Sequence, residues 1–223
     1  MSVSLRIDFV SDVACPWCAI GLAALENALA QLPPEVPVEL HFQPFELNPT
    51  LGPEGADTVQ YLSSKYGIGP EQIARNQGVI RERGAAEGFA FGTRSRVWNT
   101  FDAHRLLHWA GLQGGDHQRA LKRALLEAYH GQGRNPGDTD VLVELAGRSG
   151  LDAEAAREVL ASGAYAAEVR AAEHEWQQLG ISSVPSVVID RRHLIQGGQP
   201  AAIFEQALRQ LAAQGAEAGG AQR

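Results

Sequence analysis

The sequence predicts an α/β fold in which a strand–helix–strand beginning and a strand–strand–helix ending are separated by a long helical insertion. Two observations point to it. Short apolar runs of strand character sit near both ends of the 223-residue chain, while the middle is cut by Pro and Gly into helix-length pieces. With 44% hydrophobic residues, the chain can fill a real core without a disulfide scaffold.

The elements follow in order. Leu5, Ile7, Phe9 and Val10 form a buried strand, followed by a loop at 11–14. Pro16 suits a first helical position, because its φ is preset and its missing N–H has no partner there. Cys15 is then the cap and Cys18 lies in the first turn. Ile20, Leu22, Leu25 and Leu29 carry this helix to about residue 32, where Pro33-Pro34 stops it. Val38, Leu40 and Phe42 alternate with Glu39, His41 and Gln43 as a second strand. From 48 to about 179, helices are expected over 58–66, 70–87, 97–109, 117–130, 139–148, 153–161 and 164–179. Ser186 to Ile189 and then Leu194-Ile195 restore the strand pattern around a turn at 190–193, with His193 as a turn residue, and a last helix covers about 200–211. The Ala/Gly/Gln-rich end buries too little to order itself and is expected to fray.

Composition narrows function. The formal net charge is −7 and no Lys/Arg cluster stands out, which argues against nucleic acid or an anionic membrane as a partner. The first ten residues, MSVSLRIDFV, lack the basic and apolar regions of a secretory signal, and nowhere is there an apolar run of about 18 residues, so a soluble cytoplasmic protein is expected.

The only two cysteines stand in SDVACPWCAIG. Residues three apart on a helix share one face at about 5–6 Å, within the separation a disulfide tolerates, so Cys15 and Cys18 can close and reopen a bond with little backbone movement. They are not equivalent. A thiol at the cap faces unpaired N–H groups and the positive end of the helix dipole, both of which favour thiolate. Cys15 is therefore expected to attack, and Cys18, one turn deeper, to resolve the mixed disulfide. A C-x-x-C alone also fits a structural pair or half of a zinc site. A strand before it, a proline inside it and a helix after it favour a thioredoxin-like redox motif.

The stretches DFVSDVACPWCAIG (8–21), FQPFELNP (42–49), WNTFDAHRLLHWA (98–110) and GISSVPSVVID (180–190) together resemble the DsbA branch of the thioredoxin superfamily, and its cytoplasmic FrnE-like members most closely. The resemblance implies a thioredoxin-like α/β fold with an inserted all-helical domain: residues 1–50 and 176–213 as the thioredoxin-like domain, 51–175 as the insertion and 214–223 as a flexible tail. It implies a dithiol–disulfide oxidoreductase acting on protein or small-molecule disulfides or thiols. In a reducing cytoplasm that means reductase or isomerase activity, with no metal or organic cofactor, although glutathione could be the electron partner.

The family's cis-proline falls on Pro185, where a cis bond would expose the backbone of Val184 to an extended substrate segment beside Cys15. Pro16 and Trp17 belong to the same surface; Trp17 offers a flat apolar contact or packs partly buried. Asp8 resembles the family's buried acidic residue, displaced by one position, and would accept a proton. Asp12 could serve instead, though an aspartate in a polar loop is ordinarily solvated. Asn99, His104 and Arg105 belong to the family-like run and either line a groove under the insertion or are structural.

Two other readings remain at the level of sequence. His104 and His108, four apart on one helix, would complete a Cys2His2 zinc set with Cys15 and Cys18. A glutathione-dependent isomerase or transferase of the kappa type shares a similar frame, but its relatives generally carry serine where Cys15 stands. The sequence leaves the oligomeric state and the physiological substrate open.

Overall fold

A computed structural model of the chain describes residues 4–220. Strands β1 (Leu5–Ser11), β2 (Val38–Pro44), β5 (Ser186–Ile189) and β6 (His193–Gln196) form a sheet in the order β2-β1-β5-β6. β1 runs parallel to β2, with Phe9 opposite Phe42, and antiparallel to β5, with Phe9 opposite Val187. Helices α1 (Pro16–Leu29) and α9 (Ala201–Gly220) cover one face.

Alternation along β1 divides the core. Leu5, Ile7 and Phe9 join Val187 and Ile189 under α1 and α9, together with Leu25, Phe204 and Leu208. Val10 and Val188 point the other way, onto Trp176 of α8 (Ala166–Gln178). Residues 190–192 connect β5 to β6: Asp190 and Arg191 take left-handed φ values of 52° and 56° at the centre of a tight turn closed by Arg192 N donating to Ile189 O at 3.1 Å.

The insertion holds α2 (Thr58–Tyr66), α3 (Pro70–Ala86), α4 (Phe101–Leu112), α5 (His117–Leu126), α6 (Thr139–Arg148), α7 (Ala153–Ser162) and α8. Three of these starts are fixed by aspartate caps legible in the sequence: Asp57, Asp138 and Asp152 accept hydrogen bonds from N–H groups of the first turns of α2, α6 and α7. A second core, centred on Leu106, Leu121, Leu125, Leu142 and Ala146, joins α4 to α7. It also takes in Val13 and Ala14 from the loop before Cys15, so the two cores meet at that loop.

Several boundaries differ from the sequence-based expectation: α1 ends at Leu29 rather than about 32, and His193, expected in the turn, opens β6 by pairing with Ile189. Helix α4 starts at Phe101 rather than 97, because Arg96–Val97 forms strand β4 and pairs with β3 (Ala56–Asp57) as a small antiparallel ladder inside the otherwise helical insertion. The helix expected over 117–130 stops at Leu126 and continues as a π-helical turn, Glu127–Gly131. α8 begins at Ala166 rather than 164, after Tyr165 takes a left-handed φ of 63°. The tail expected to be flexible from 214 is helical to Gly220, in keeping with the helix propensity of its Ala, Gln and Glu; residues 221–223 of that tail lie outside the described residues.

The free edge of β2 is occupied at one point. Gln118 of α5 accepts a hydrogen bond from Phe42 N at 3.1 Å and donates to Phe42 O at 3.2 Å, as a neighbouring strand would. This seats α5 against the sheet and brings Lys122, one turn on, beneath it. Among the described residues no helix is long and apolar enough to cross a membrane.

Packing against the sheet predicts unequal costs along α9. Phe204 is fully buried and Ile203 is 45% exposed. Phe204→Ala is expected to lower the unfolding free energy by about 3–5 kcal/mol in urea titration, and Ile203→Ala by less than about 1 kcal/mol.

Candidate active site

Cys15 stands at the N-cap of α1 with extended backbone angles, and Pro16 follows at the first helical position. Both cysteines are free thiols. Cys15 keeps 4% of its surface in solvent and Cys18 keeps none, so an arriving molecule can reach only the first. Their ionisation separates in the same sense. A hydrogen bond from the Cys18 thiol draws the Cys15 thiol below its ordinary range, outweighing the effect of burial. Burial, reinforced by the neighbouring Cys15 sulfur, pushes Cys18 well up.

The opposite wall is the loop before β5. The Val184–Pro185 peptide bond is cis, and Cys15 Sγ lies 3.6 Å from the Val184 carbonyl oxygen. Helix α1 can lie this close because residue 21 is glycine; a Cβ there would stand 3.0 Å from Pro185 Cγ. Trp17 and Pro16 are half-buried, and the Arg83 guanidinium sits 5.8 Å above the Trp17 ring. Beside Pro16 a cavity of about 150 Å³ opens between α3 and the 91–94 segment, with Arg81 and Arg94 in its lining.

Behind the thiols, the loop 11–14 is pinned from several sides. Asp12 is fully buried, which corrects the expectation of a solvated side chain. Its Oδ1 accepts from Ala14 N at 3.0 Å and Thr100 Oγ1 at 2.7 Å, and its Oδ2 from Leu47 N at 2.7 Å. His104 Nε2 lies 3.5 Å from Oδ1. Burial alone would raise this carboxyl, but the imidazole and the N–H donors outweigh it and hold it below the ordinary range. One residue on, the Val13 carbonyl is 2.8 Å from His130 Nε2, which the π-helical turn delivers. Burial keeps His130 neutral by pushing its pKa well down, so Nε2 carries the proton that it donates.

The other residues singled out from the sequence fall elsewhere. Asp8 is buried on the far face of β1 from the α1 core, held by Arg6 at 3.0 Å, Gln43 at 2.7 Å and Arg191 at 3.2 Å. Burial opposes ionisation there, but these partners prevail and the carboxyl is lowered. It belongs to an arginine cluster rather than to the thiols. Arg105 is 3% exposed and turns inward, donating to the carbonyls of Val159, Leu160 and Ala164 around the end of α7. Asn99 donates to Leu51 O and accepts from Phe101 N, fixing the start of α4. Of the three, His104 lines a cavity, the one between β2, α4 and α5. The zinc arrangement is not assembled: His108 stacks near Tyr165, ring centroids 5.3 Å apart, and among the described residues no three His, Cys, Asp or Glu side chains gather as metal ligands do.

Sequence reasoning missed Lys122, which is 1% exposed and faces Cys18, Asp12 and Cys15. The signal was present, since Lys122 shares the buried stripe of α5 with Leu121, Leu125 and Leu126. A charged residue inside such a stripe needs a counter-charge.

The chain matches the family model described as a DSBA-like thioredoxin domain over residues 6–209. Among solved structures it is similar to a probable DsbA oxidoreductase from Streptomyces coelicolor, at 43% identity and TM-score 0.85 over 92% of this chain and 89% of that one. The cytosolic disulfide reductase DsbM from Pseudomonas aeruginosa, solved with GSH, shares the fold at 20% identity and TM-score 0.60, covering 92% and 99% of the two chains. The uncharacterized protein YwbO of Bacillus subtilis is 27% identical over 209 residues, 92% of this chain and 96% of that protein.

Two measurements check the electrostatics. Thiolate absorbance at 240 nm is expected to show one thiol ionising below the ordinary value of about 8.5 and the second only well above it. Asp12 binds its proton less readily folded than unfolded, so its contribution to stability is complete above about pH 4 and is lost as pH falls toward the folded value. Asp12→Asn is expected to remove that acid-dependent part and to cost about 1–3 kcal/mol at pH 7, read by urea unfolding across pH.

Proposed function

The chain belongs to the DSBA-like thioredoxin domain family, and on that premise we propose that this thiol–disulfide oxidoreductase works through Cys15 and Cys18, as a reductase or isomerase of protein or small-molecule disulfides. The observation that carries the reading is the pair itself: two free thiols in one helical turn, the first at the helix cap, lowered in pKa and beside the Val184 carbonyl of the cis-proline loop.

In the reducing direction, Cys15 thiolate attacks one sulfur of the substrate disulfide. A Cys15–substrate bond forms, the substrate S–S bond breaks and the first substrate thiolate leaves, taking up a proton. Cys18 then loses its proton and attacks Cys15 Sγ, closing the Cys15–Cys18 disulfide and releasing the second thiolate. Two electrons have passed to the substrate. Two equivalents of a small thiol such as glutathione would return them, themselves becoming a disulfide. In the isomerising direction the first mixed disulfide is attacked by another substrate thiol, with no net electron transfer.

Burial of Cys15 restricts what can arrive. An extended segment lying along Val184 can present its sulfur with its flanking backbone kept outside. Arg81 and Arg94 beside Pro16 supply positive charge suited to the carboxylates of a glutathione-sized thiol. The likeness to a cytosolic disulfide reductase solved with GSH supports a reducing role and a cytoplasmic setting. Asp12 acts in this scheme as the anchor of the loop and as a negative charge near the thiols, since its lowered pKa makes it a weak proton acceptor.

Insulin reduction with glutathione as electron donor tests the assignment. Cys15→Ser is expected to lose activity by at least about 100-fold. Cys18→Ser is expected to accumulate a mixed disulfide on Cys15, visible as added mass after alkylation; wild-type turnover by the Cys15→Ser protein would overturn the reading.

A further inference from the structure

A second cavity, of about 210 Å³, lies between β2, α4 and α5, and Lys122 in its lining is the residue that faces Cys18. Its lining is chemically lopsided. Lys122 and His104, 1% and 3% exposed, come from α5 and α4, and His41 and His108 from β2 and α4. Among the described lining residues there is no carboxylate. The buried Nε2 atoms of His41 and His104 make no hydrogen bond, and that of His104 stands 3.5 Å from Asp12 Oδ1. The nearest charges outside the cavity are already committed or weak: Asp12 is filled by its own donors, Cys18 is held as a neutral thiol, and Glu39 stands 3.8 Å from His41.

The remaining wall is apolar. Phe42 and Leu107 are buried, and Leu112, 61% exposed, stands at the lip. Along α4, His104, Leu107, His108 and Gly111 follow one another at helical spacing, so one face of the helix supplies both basic and apolar surface over roughly 10 Å. The volume is below the range of about 300–1,000 Å³ typical of drug-sized ligands and suits a smaller molecule.

We propose that this cavity is a second binding site, for a small organic carboxylate whose charged end is held by Lys122 and His104 and whose apolar body lies against Phe42, Leu107 and Leu112. A buried ammonium and unpartnered imidazole nitrogens are costly without an acceptor, and a carboxylate provides one with two oxygens. Water could serve the nitrogens, but the apolar wall gains only from a ligand with a hydrocarbon part. The site does not require disulfide exchange, so its occupancy can be read in protein whose Cys15 is replaced by Ser.

Imidazole proton signals of His104 and His108, followed by NMR at pH 7 during titration with benzoate, test the proposal. Saturable shifts are expected, with benzamide, neutral and of nearly the same shape, at least about 10-fold weaker. Inorganic phosphate, charged but without an apolar body, is likewise expected to bind more weakly than benzoate. Lys122→Met is expected to weaken benzoate at least about 10-fold, and circular dichroism checks that this variant folds. Because the benzamide and phosphate arms use unaltered Lys122, they decide the case even if the variant does not fold. No saturable shift up to about 10 mM benzoate, or equal binding of benzamide, or phosphate binding as tightly as benzoate, would overturn it.

Discussion

The burial of the Asp12 carboxylate is the constraint on which the site depends. A charged side chain with no access to water must be surrounded by donors, and its donors come from three separate parts of the chain: the turn to Ala14, the segment after β2 at Leu47, and Thr100 at the head of α4. Satisfying one carboxylate thus fixes the sheet, the helical insertion and the loop before α1 relative to one another. Thr100 shows the hierarchy: it stands at the N-cap of α4, yet its hydroxyl goes to Asp12, and the cap makes no side-chain hydrogen bond of its own. His130 adds a second anchor at the neighbouring carbonyl, Val13 O, and Val13 itself is absorbed into the core of the insertion. Cys15 is placed by this loop as much as by its own helix.

The chemistry of the thiol pair follows from depth. One turn of helix separates a sulfur at the edge of solvent from one in the core, and the two respond oppositely: the outer is favoured as an anion by its neighbour's hydrogen bond, the inner is disfavoured by loss of water. Lys122 stands on the core side and is itself lowered by burial. Its charge favours the thiolate state of both sulfurs while the Asp12 charge opposes it at Cys15, so the balance at Cys15 reflects two buried charges of opposite sign supplied by distant parts of the chain.

Much of this was legible in the sequence, for reasons that differ by element. The strands declare themselves because β1 and β5 run apolar between cores on both faces of the sheet, and the helix starts at Thr58, Thr139 and Ala153 are written in the aspartates that precede them. The cysteine pair could be read because its chemistry is local, settled by three residues and a proline. What could not be read is long-range. Asp12 looked like a loop aspartate because its donors lie 35 and 88 residues away. Arg105 and Asn99 could be read as groove or structural residues, because nothing nearby reveals that one holds the end of α7 and the other the start of α4. The short ladder of β3 and β4 has two residues per strand, too few for any periodicity to show.

Gln118 has an effect that reaches beyond the seating of α5. Edge strands invite other chains to extend the sheet, because their unpaired amides and carbonyls form a template. On β2 that template is interrupted at Phe42, where one side-chain amide already fills both the donor and the acceptor position. A foreign strand laid along this edge would lose its ladder at its centre, so the sheet is guarded against self-association by a single residue of a helix that belongs to the insertion.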